Sequence, residues 1–436
     1  MKARFSLVKE VPGKRYSFFD PLAHDFKYRE EEPHSNFRVT WPDGSPCLPV
    51  EAYLLRISRT VSVREDDGGT LKVYCSSLIQ LLNYCWHSGH SLFSLSTDDL
   101  RDLAFQLLNS NICLWRTRDL NPRGVNRTLS HIVEFFDWLY EAGFCPDRIV
   151  GPSSTLSKIK LVEDAAGKGR PSHNSRLRFP YKIPEVSHLG KRPLRDAERS
   201  ALWEAVESLD HTNWNRSKLF SDYLLHRRRL TLDLLEATGA RPGELCALRI
   251  SDISNGLSEG RLKIVTLKTR NHRDPLRSIP IPIALSMRIT VFMETFRNAL
   301  ISSLKQAFPH VESEDILLLS SRDGKPLTRA SFTKDFQRIV DASSLSNRVC
   351  MGMYRHRFIT RMVALHLKHF LEDAPGKTRA LITESDYRSI LRRVMSFTGH
   401  KHESSLLHYV SWAWEEIGVF SKLDRFMTVD TLNGQG

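Results

Sequence analysis

Two arginines, a histidine and a tyrosine stand in polar surroundings in the second half of this 436-residue chain. Arg241 lies in Ala237-Thr238-Gly239-Ala240-Arg241-Pro242-Gly243-Glu244-Leu245, and Arg355 in Tyr354-Arg355-His356-Arg357-Phe358. His400 ends Thr398-Gly399-His400, and Tyr409 follows nine residues later in Leu406-Leu407-His408-Tyr409-Val410. Such a set suits attack on a phosphodiester by a side-chain hydroxyl. A phenolate is a competent nucleophile and a good leaving group, so a covalent intermediate formed on it reverses without free water or ATP. The transition state spreads charge over its non-bridging oxygens, where paired guanidiniums stabilise it. A histidine adds a donor, and a lysine can protonate the departing 5′ oxygen. No metal or other cofactor is required where arginines supply the positive charge. Taken singly, each residue has an ordinary reading: Arg241 as a surface or ion-paired arginine, Tyr409 as a core tyrosine. His400 and His402 lack a third ligand at zinc spacing.

The elements that must position these residues are mainly helical. Leu71, Tyr74, Cys75, Leu78, Leu81, Leu82 and Cys85 recur at three- and four-residue steps. Ser96-Thr97-Asp98-Asp99 reads as an N-cap and acidic first turn before Leu100, Leu103, Leu107 and Leu108. Asn126 to Tyr140 carries Leu129, Ile132, Val133, Phe136 and Leu139 on one face, with Gly143 as terminator. Further helices are predicted over 197–209, 219–237, 283–308, 329–341, 354–371, 383–397 and 403–426. Arg261 to Leu267 alternates as a strand does, and after the turn-rich 268–275 a second strand begins at Leu276, a hairpin signal. The fold class expected is mainly α with a small antiparallel β-sheet (α+β). The organisation expected is an N-terminal extension without an assigned role (1–47), a helical domain (48–150), a linker (151–191) and a second domain (192–436).

Charge points to the partner. Lys and Arg number 63 against 50 Asp and Glu, a net +13. A polyanion gains from such an excess through counterion release. Residues 151–195 hold ten basic residues against three acids. Lys158, Lys160, Lys168, Arg170, Arg176, Arg178 and Lys182 are therefore the candidate DNA contacts of a basic strap, since phosphate contacts need charge rather than fixed shape. Seven scattered cysteines, with no Cys-x-x-Cys pair, argue against a disulfide framework or a cysteine-ligated zinc site and suit a reducing cytoplasm. No apolar run long enough to cross a bilayer and no secretory signal is visible, so a membrane role is not expected.

The second half resembles the catalytic domain of the tyrosine recombinases, the phage-integrase family. Three boxes carry the likeness: 237–245 with Leu248 and Asp252, Tyr354 to Thr360, and Gly399-His400 with Tyr409. The resemblance implies Arg241 and Arg355 as the catalytic arginines, Glu244 as support, His400 as transition-state donor and Tyr409 as nucleophile. Lys268, at the end of the first hairpin strand, falls on the family's lysine. Residues 48–147 are similar, more weakly, to the family's helical core-binding domain. The activity implied is site-specific strand exchange on double-stranded DNA through a 3′-phosphotyrosyl link, most naturally for a mobile element. Four protomers would act on paired sites, with a monomer or dimer when free. A silent DNA-binding accessory protein and a monomeric tyrosine topoisomerase are the alternatives. Two departures stand out. The family's histidine or lysine three residues before the second arginine is Gly352 here, and His356 reads as structural, on another helical face. Arg355 and His400 are also unusually far apart, which suggests an inserted helical hairpin around Leu371 to Lys377.

Overall fold

The computed structural model describes residues 2–8, 16–19, 28–31, 36–58, 69–163, 177–184, 192–209, 218–267, 276–307, 315–373 and 379–418. The chain is mainly α-helical with small sheets, and divides into two compact units, Met1–His188 and Leu189–Gly436.

The first unit is built on helices Leu48–Ser58, Gly69–Ser88, Thr97–Leu108 and Pro122–Glu141. Leu78, Leu82, Leu103, Ile132, Phe136 and Leu139 are fully buried, so the three-to-four spacing in the sequence marks the faces that meet. Ser96 caps its helix as expected: its side chain accepts from Asp99 N while Asp99 accepts from Ser96 N. Asn121 caps the next helix, with Pro122 in its first turn.

Residues at the start of the chain are part of this core. Strand Arg4–Val8 pairs antiparallel with Asn36–Thr40, burying Phe37 and Val39, and Ala3 N donates to Asn83 Oδ1 at 2.8 Å. The stretch expected to open a linker also folds onto this unit. Strand Ile159–Glu163 lies between Val150–Pro152, parallel, and Leu177–Arg178, antiparallel. Ile159 and Leu161 are buried while Lys158 and Lys160 are exposed. Five residues of period two, hemmed by Gly, Pro and Ser, are too short a signal to stand out against a basic background.

The second unit centres on helix Met351–Asp373, which buries Tyr354, Ile359, Val363 and Leu367. It packs against Lys218–Thr238 and Glu384–Thr398. The last pair forms the expected helical hairpin, with residues 374–378 outside the described set. Strands Arg261–Val265 and Leu276–Pro280 pair antiparallel, with Ile264 opposite Arg277. The helix predicted over 283–308 is continuous in space but passes through a π-helical stretch, Phe292–Arg297. Buried Arg227 and Arg228 both reach Asp335, at 2.8 and 2.7 Å, tying Lys218–Thr238 to helix Arg329–Ala342. A last helix, 407–418, carries Tyr409 near its start.

Candidate active site

Arg241 owes its place to the end of the helix before it. Lys218–Thr238 stops at Gly239, whose φ is +55°, and a Cβ there would lie 2.6 Å from Phe358. Only glycine meets both demands. The chain then turns so that Arg241 becomes the N-cap of the short helix Pro242–Cys246. Buried Glu244 fixes it, accepting from Arg241 N at 2.8 Å and from Nη1 at 2.7 Å. Glu244 Oε2, which accepts from Arg241 N, also accepts from Arg277 Nη2 at 2.7 Å. Burial pushes the Glu244 carboxyl up, but the Arg277 hydrogen bond and charge, with Arg241 behind them, outweigh it and hold it below the usual range.

Arg355 is buried without a carboxylate of its own among the described residues. Nη1 donates to Gly239 O at 2.8 Å and Nη2 to Thr398 O at 2.6 Å. Both carbonyls lie at helix C-terminal ends, where the backbone dipoles favour a cation. Burial pulls Arg355 down to about 10, and the charge of Arg241 adds to it. Arg277 closes the far side. It is buried, Nη1 donates to Thr266 Oγ1 at 3.1 Å, and Nε has no hydrogen-bond partner among the described residues. Three guanidiniums thus gather around one buried carboxylate, Glu244, leaving an uncompensated positive field for an anion.

Helix Glu384–Thr398 ends in the same manner as the first. Gly399 has φ +67°, and a Cβ there would sit 3.0 Å from Thr266. That turn delivers His400, whose Nδ1 lies 2.7 Å from Thr398 Oγ1. Thr398 spends its one hydroxyl hydrogen on Val394 O at 3.0 Å. The ring therefore donates through Nδ1, and Nε2 carries the lone pair. Burial, then the charges of Arg355, Arg241 and Arg277, hold His400 down at about 3. His400 is therefore neutral at pH 7, and a donor role at Nε2 requires it to gain a proton there.

Tyr409 is 3% exposed and packs inward beside Leu406 and Ala413. Its hydroxyl lies 2.6 Å from His356 Nδ1. Burial raises the phenol to about 12, against the pull of Arg355 and Arg241, so both guanidiniums act on this oxygen. The ring is buried, yet its oxygen has a polar partner and sits in the field of the two arginines.

The structure thus brings together Arg241, Arg355, His400 and Tyr409. Lys268 lies outside the described residues, as do Lys168, Arg170 and Arg176. Arg178 is in a two-residue strand described by its backbone only. Lys158 Nζ donates to Phe93 O at 3.1 Å, Lys160 Nζ to Thr155 O at 2.8 Å, and Lys182 is exposed. At Gly352 a Cβ would meet only Cys350 Sγ at 3.6 Å, so nothing steric demands a glycine there. Sequence reasoning missed two residues. Arg277 had a signal: it shares the inward register with Ile279, and a charge on the buried face of a strand needs a buried partner. His356 reads from the sequence as structural, on another helical face; the structure instead puts its Nδ1 2.6 Å from Tyr409 Oη, a contact between residues far apart in sequence.

Residues 207–368 match the model of the phage integrase family. Tyrosine recombinase XerC of Bacillus subtilis is 28% identical over 137 residues, which are 31% of this chain and 40% of that protein. The chain thus spans well under two thirds of that relative's length. Among solved structures, XerH site-specific recombinase bound to palindromic difH substrate, a post-cleavage complex, is 14% identical. That match covers 87% of this chain and 90% of the other, with a TM-score of 0.47. Lambda integrase bound to DNA is 17% identical, covering 82% of this chain and 97% of the other, with a TM-score of 0.41. No described helix is long and apolar enough to cross a membrane.

Proposed function

We propose, because this chain belongs to the phage integrase family of tyrosine recombinases, that it cuts and rejoins double-stranded DNA through a phosphotyrosyl intermediate on Tyr409. The observation that carries this reading is that Arg355 and Arg241 both act on the Tyr409 phenol and on His400. Arg241 and Arg355 would hold the non-bridging oxygens of the scissile phosphate. Arg241 offers the more open fork, while Arg355 is held by two helix-end carbonyls and so is already oriented. A phosphate bound there offsets the arginine charges that add to burial in keeping His400 unprotonated. His400 Nε2 can then gain a proton and donate to the transition state. Tyr409 attacks, the phosphate becomes linked through its 3′ side, and a 5′ hydroxyl is freed for a partner strand. Lys268 is assigned the proton donor to that 5′ oxygen.

The finer setting is proposed on the same basis: a mobile-element integrase acting on DNA in the cytoplasm, with exchange by a tetramer on paired sites. Exposed Lys182, Lys160 in strand Ile159–Glu163 and Lys158 just before it are the proposed backbone contacts of the first unit, together with Lys168, Arg170, Arg176 and Arg178. Gly352 favours a second reading, a DNA-binding protein of this fold that no longer cuts. A nicked suicide duplex separates the two. Wild-type protein should become covalently attached, and Tyr409→Phe should bind the duplex with unchanged affinity and form no adduct. A covalent adduct on the Phe variant would remove Tyr409 from its role, and none on the wild type would favour the silent reading.

A further inference from the structure

His356 holds a place next to the attacking oxygen that the arrangement above leaves without a task. Its Nδ1 is 2.6 Å from Tyr409 Oη, and the two rings stack with centroids 5.5 Å apart and planes 24° apart. Trp412 meets both rings edge-on, at 81° to His356 and 76° to Tyr409. The imidazole is thus braced by ring packing, and its nitrogen is aimed at the oxygen that would bond to phosphorus.

The reaction needs a group there. Tyr409 is a phenol at neutral pH, because burial raises it to about 12. Its proton must leave as the new bond forms. Other candidates are poor acceptors. Arg241, Arg277 and Arg355 are cations, and Glu244 is already bonded to Arg241 and Arg277. His400 is held at about 3 by burial and the three arginines, which makes it a weak base. Position 352 offers no side chain at all.

From this geometry we infer that His356 Nδ1 accepts the hydroxyl proton of Tyr409 during strand cleavage and returns it during rejoining. The inference rests on Tyr409 being the nucleophile. In cleavage the Tyr409 Oη–P bond forms and the P–O5′ bond breaks. The phenol proton moves to His356, and the 5′ oxygen takes a proton from a lysine ammonium, the role assigned to Lys268. Rejoining reverses every transfer. His356 enters the cycle with its ring hydrogen on Nε2 and its lone pair on Nδ1.

The test compares the full-length wild type with Tyr409→Phe, His356→Phe and His356→Asn on the nicked suicide duplex between pH 6 and 9. Phe keeps the ring stack without a nitrogen. Asn keeps a hydrogen-bond acceptor without imidazole basicity. Both His356 variants should form adduct about 100-fold more slowly at pH 7, with DNA affinity retained. The wild-type rate should level off once the imidazole is neutral, while the variants keep rising about tenfold per pH unit with the phenolate fraction. Arg241, Arg355 and His408 also face the pair. Burial pulls Arg355 down only to about 10, above this range, and His408→Phe should keep the wild-type profile. Wild-type rates in the His356 variants, or slower rates with an unchanged profile, would overturn the inference and leave His356 a packing residue. If His356→Phe fails a melting check, His356→Asn decides by the same criterion. No adduct in the wild type, or one in Tyr409→Phe, would instead indict the reading of Tyr409.

Discussion

Glu244→Gln is the perturbation that best exposes how the site is held. The wild-type carboxylate accepts from Arg241 N at 2.8 Å, from Arg241 Nη1 at 2.7 Å and from Arg277 Nη2 at 2.7 Å. Its side chain is 0% exposed, that of Arg277 is 4% and that of Arg241 is 27%. Glutamine keeps the shape, removes the charge and turns an NH2 donor toward a guanidinium. Arg277 has no other carboxylate among the described residues, so its charge would be left buried and unpaired. Removing one partner of a buried pair costs roughly 3–5 kcal/mol. Arg241 can recover water where Arg277 cannot, so we expect the lower end, about 3 kcal/mol, in urea unfolding at pH 7. The pH dependence has a definite sign. The folded carboxyl is held below its unfolded value, so its contribution is present above that value and fades as pH falls through the folded one. The gap between wild type and variant should therefore narrow below about pH 4.3. Arg241 also loses the partner that fixes its rotamer, and a shift of about 1 Å in a positioning group costs on the order of 100-fold in rate. Equal unfolding of variant and wild type at pH 7, or a gap that ignores acid, would refute this reasoning.

Arg355→Lys cannot span Gly239 O and Thr398 O with a fixed fork, so adduct formation on the suicide duplex should fall about 100- to 1000-fold. Gly239→Ala should lower stability by about 2 kcal/mol or more in urea unfolding, from its left-handed backbone and the contact with Phe358. Gly352→Ala, by contrast, should be neutral or stabilise by up to about 1 kcal/mol, because the helix there has room. Lys182→Ala should weaken DNA binding for all sequences alike and reduce the slope of log affinity against log salt by about 1.

What the sequence disclosed, and what it withheld, follows from the range of the contacts involved. Helices with long amphipathic faces, such as Pro122–Glu141, announce themselves through periodicity, and Ser96 and Gly143 mark ends by local chemistry. The residues around Arg241 and His400 are legible because local turns deliver them: Gly239 and Gly399 each end a helix in a left-handed turn one or two residues before the functional side chain, while Arg355 lies inside helix Met351–Asp373. Strands 4–8 and 159–163 are hidden because their pairing partners are distant or irregular and five residues carry little pattern. Arg277 and His356 are hidden for a related reason. Their importance lies in partners 33 and 53 residues away, Glu244 and Tyr409; the inward register of Arg277 with Ile279 and the place of His356 next to Arg355 are the only local marks they carry.

The central claim is that a phenol oxygen in helix 407–418 becomes esterified to a broken strand. Its most direct test is to trap the adduct on a nicked suicide duplex, digest protein and DNA, and locate the nucleotide-bearing peptide by mass spectrometry. The account predicts a single modified residue, Tyr409, carrying the phosphate through the 3′ end of the cut strand. A nucleotide on any other side chain, or attachment through the 5′ end, would contradict it.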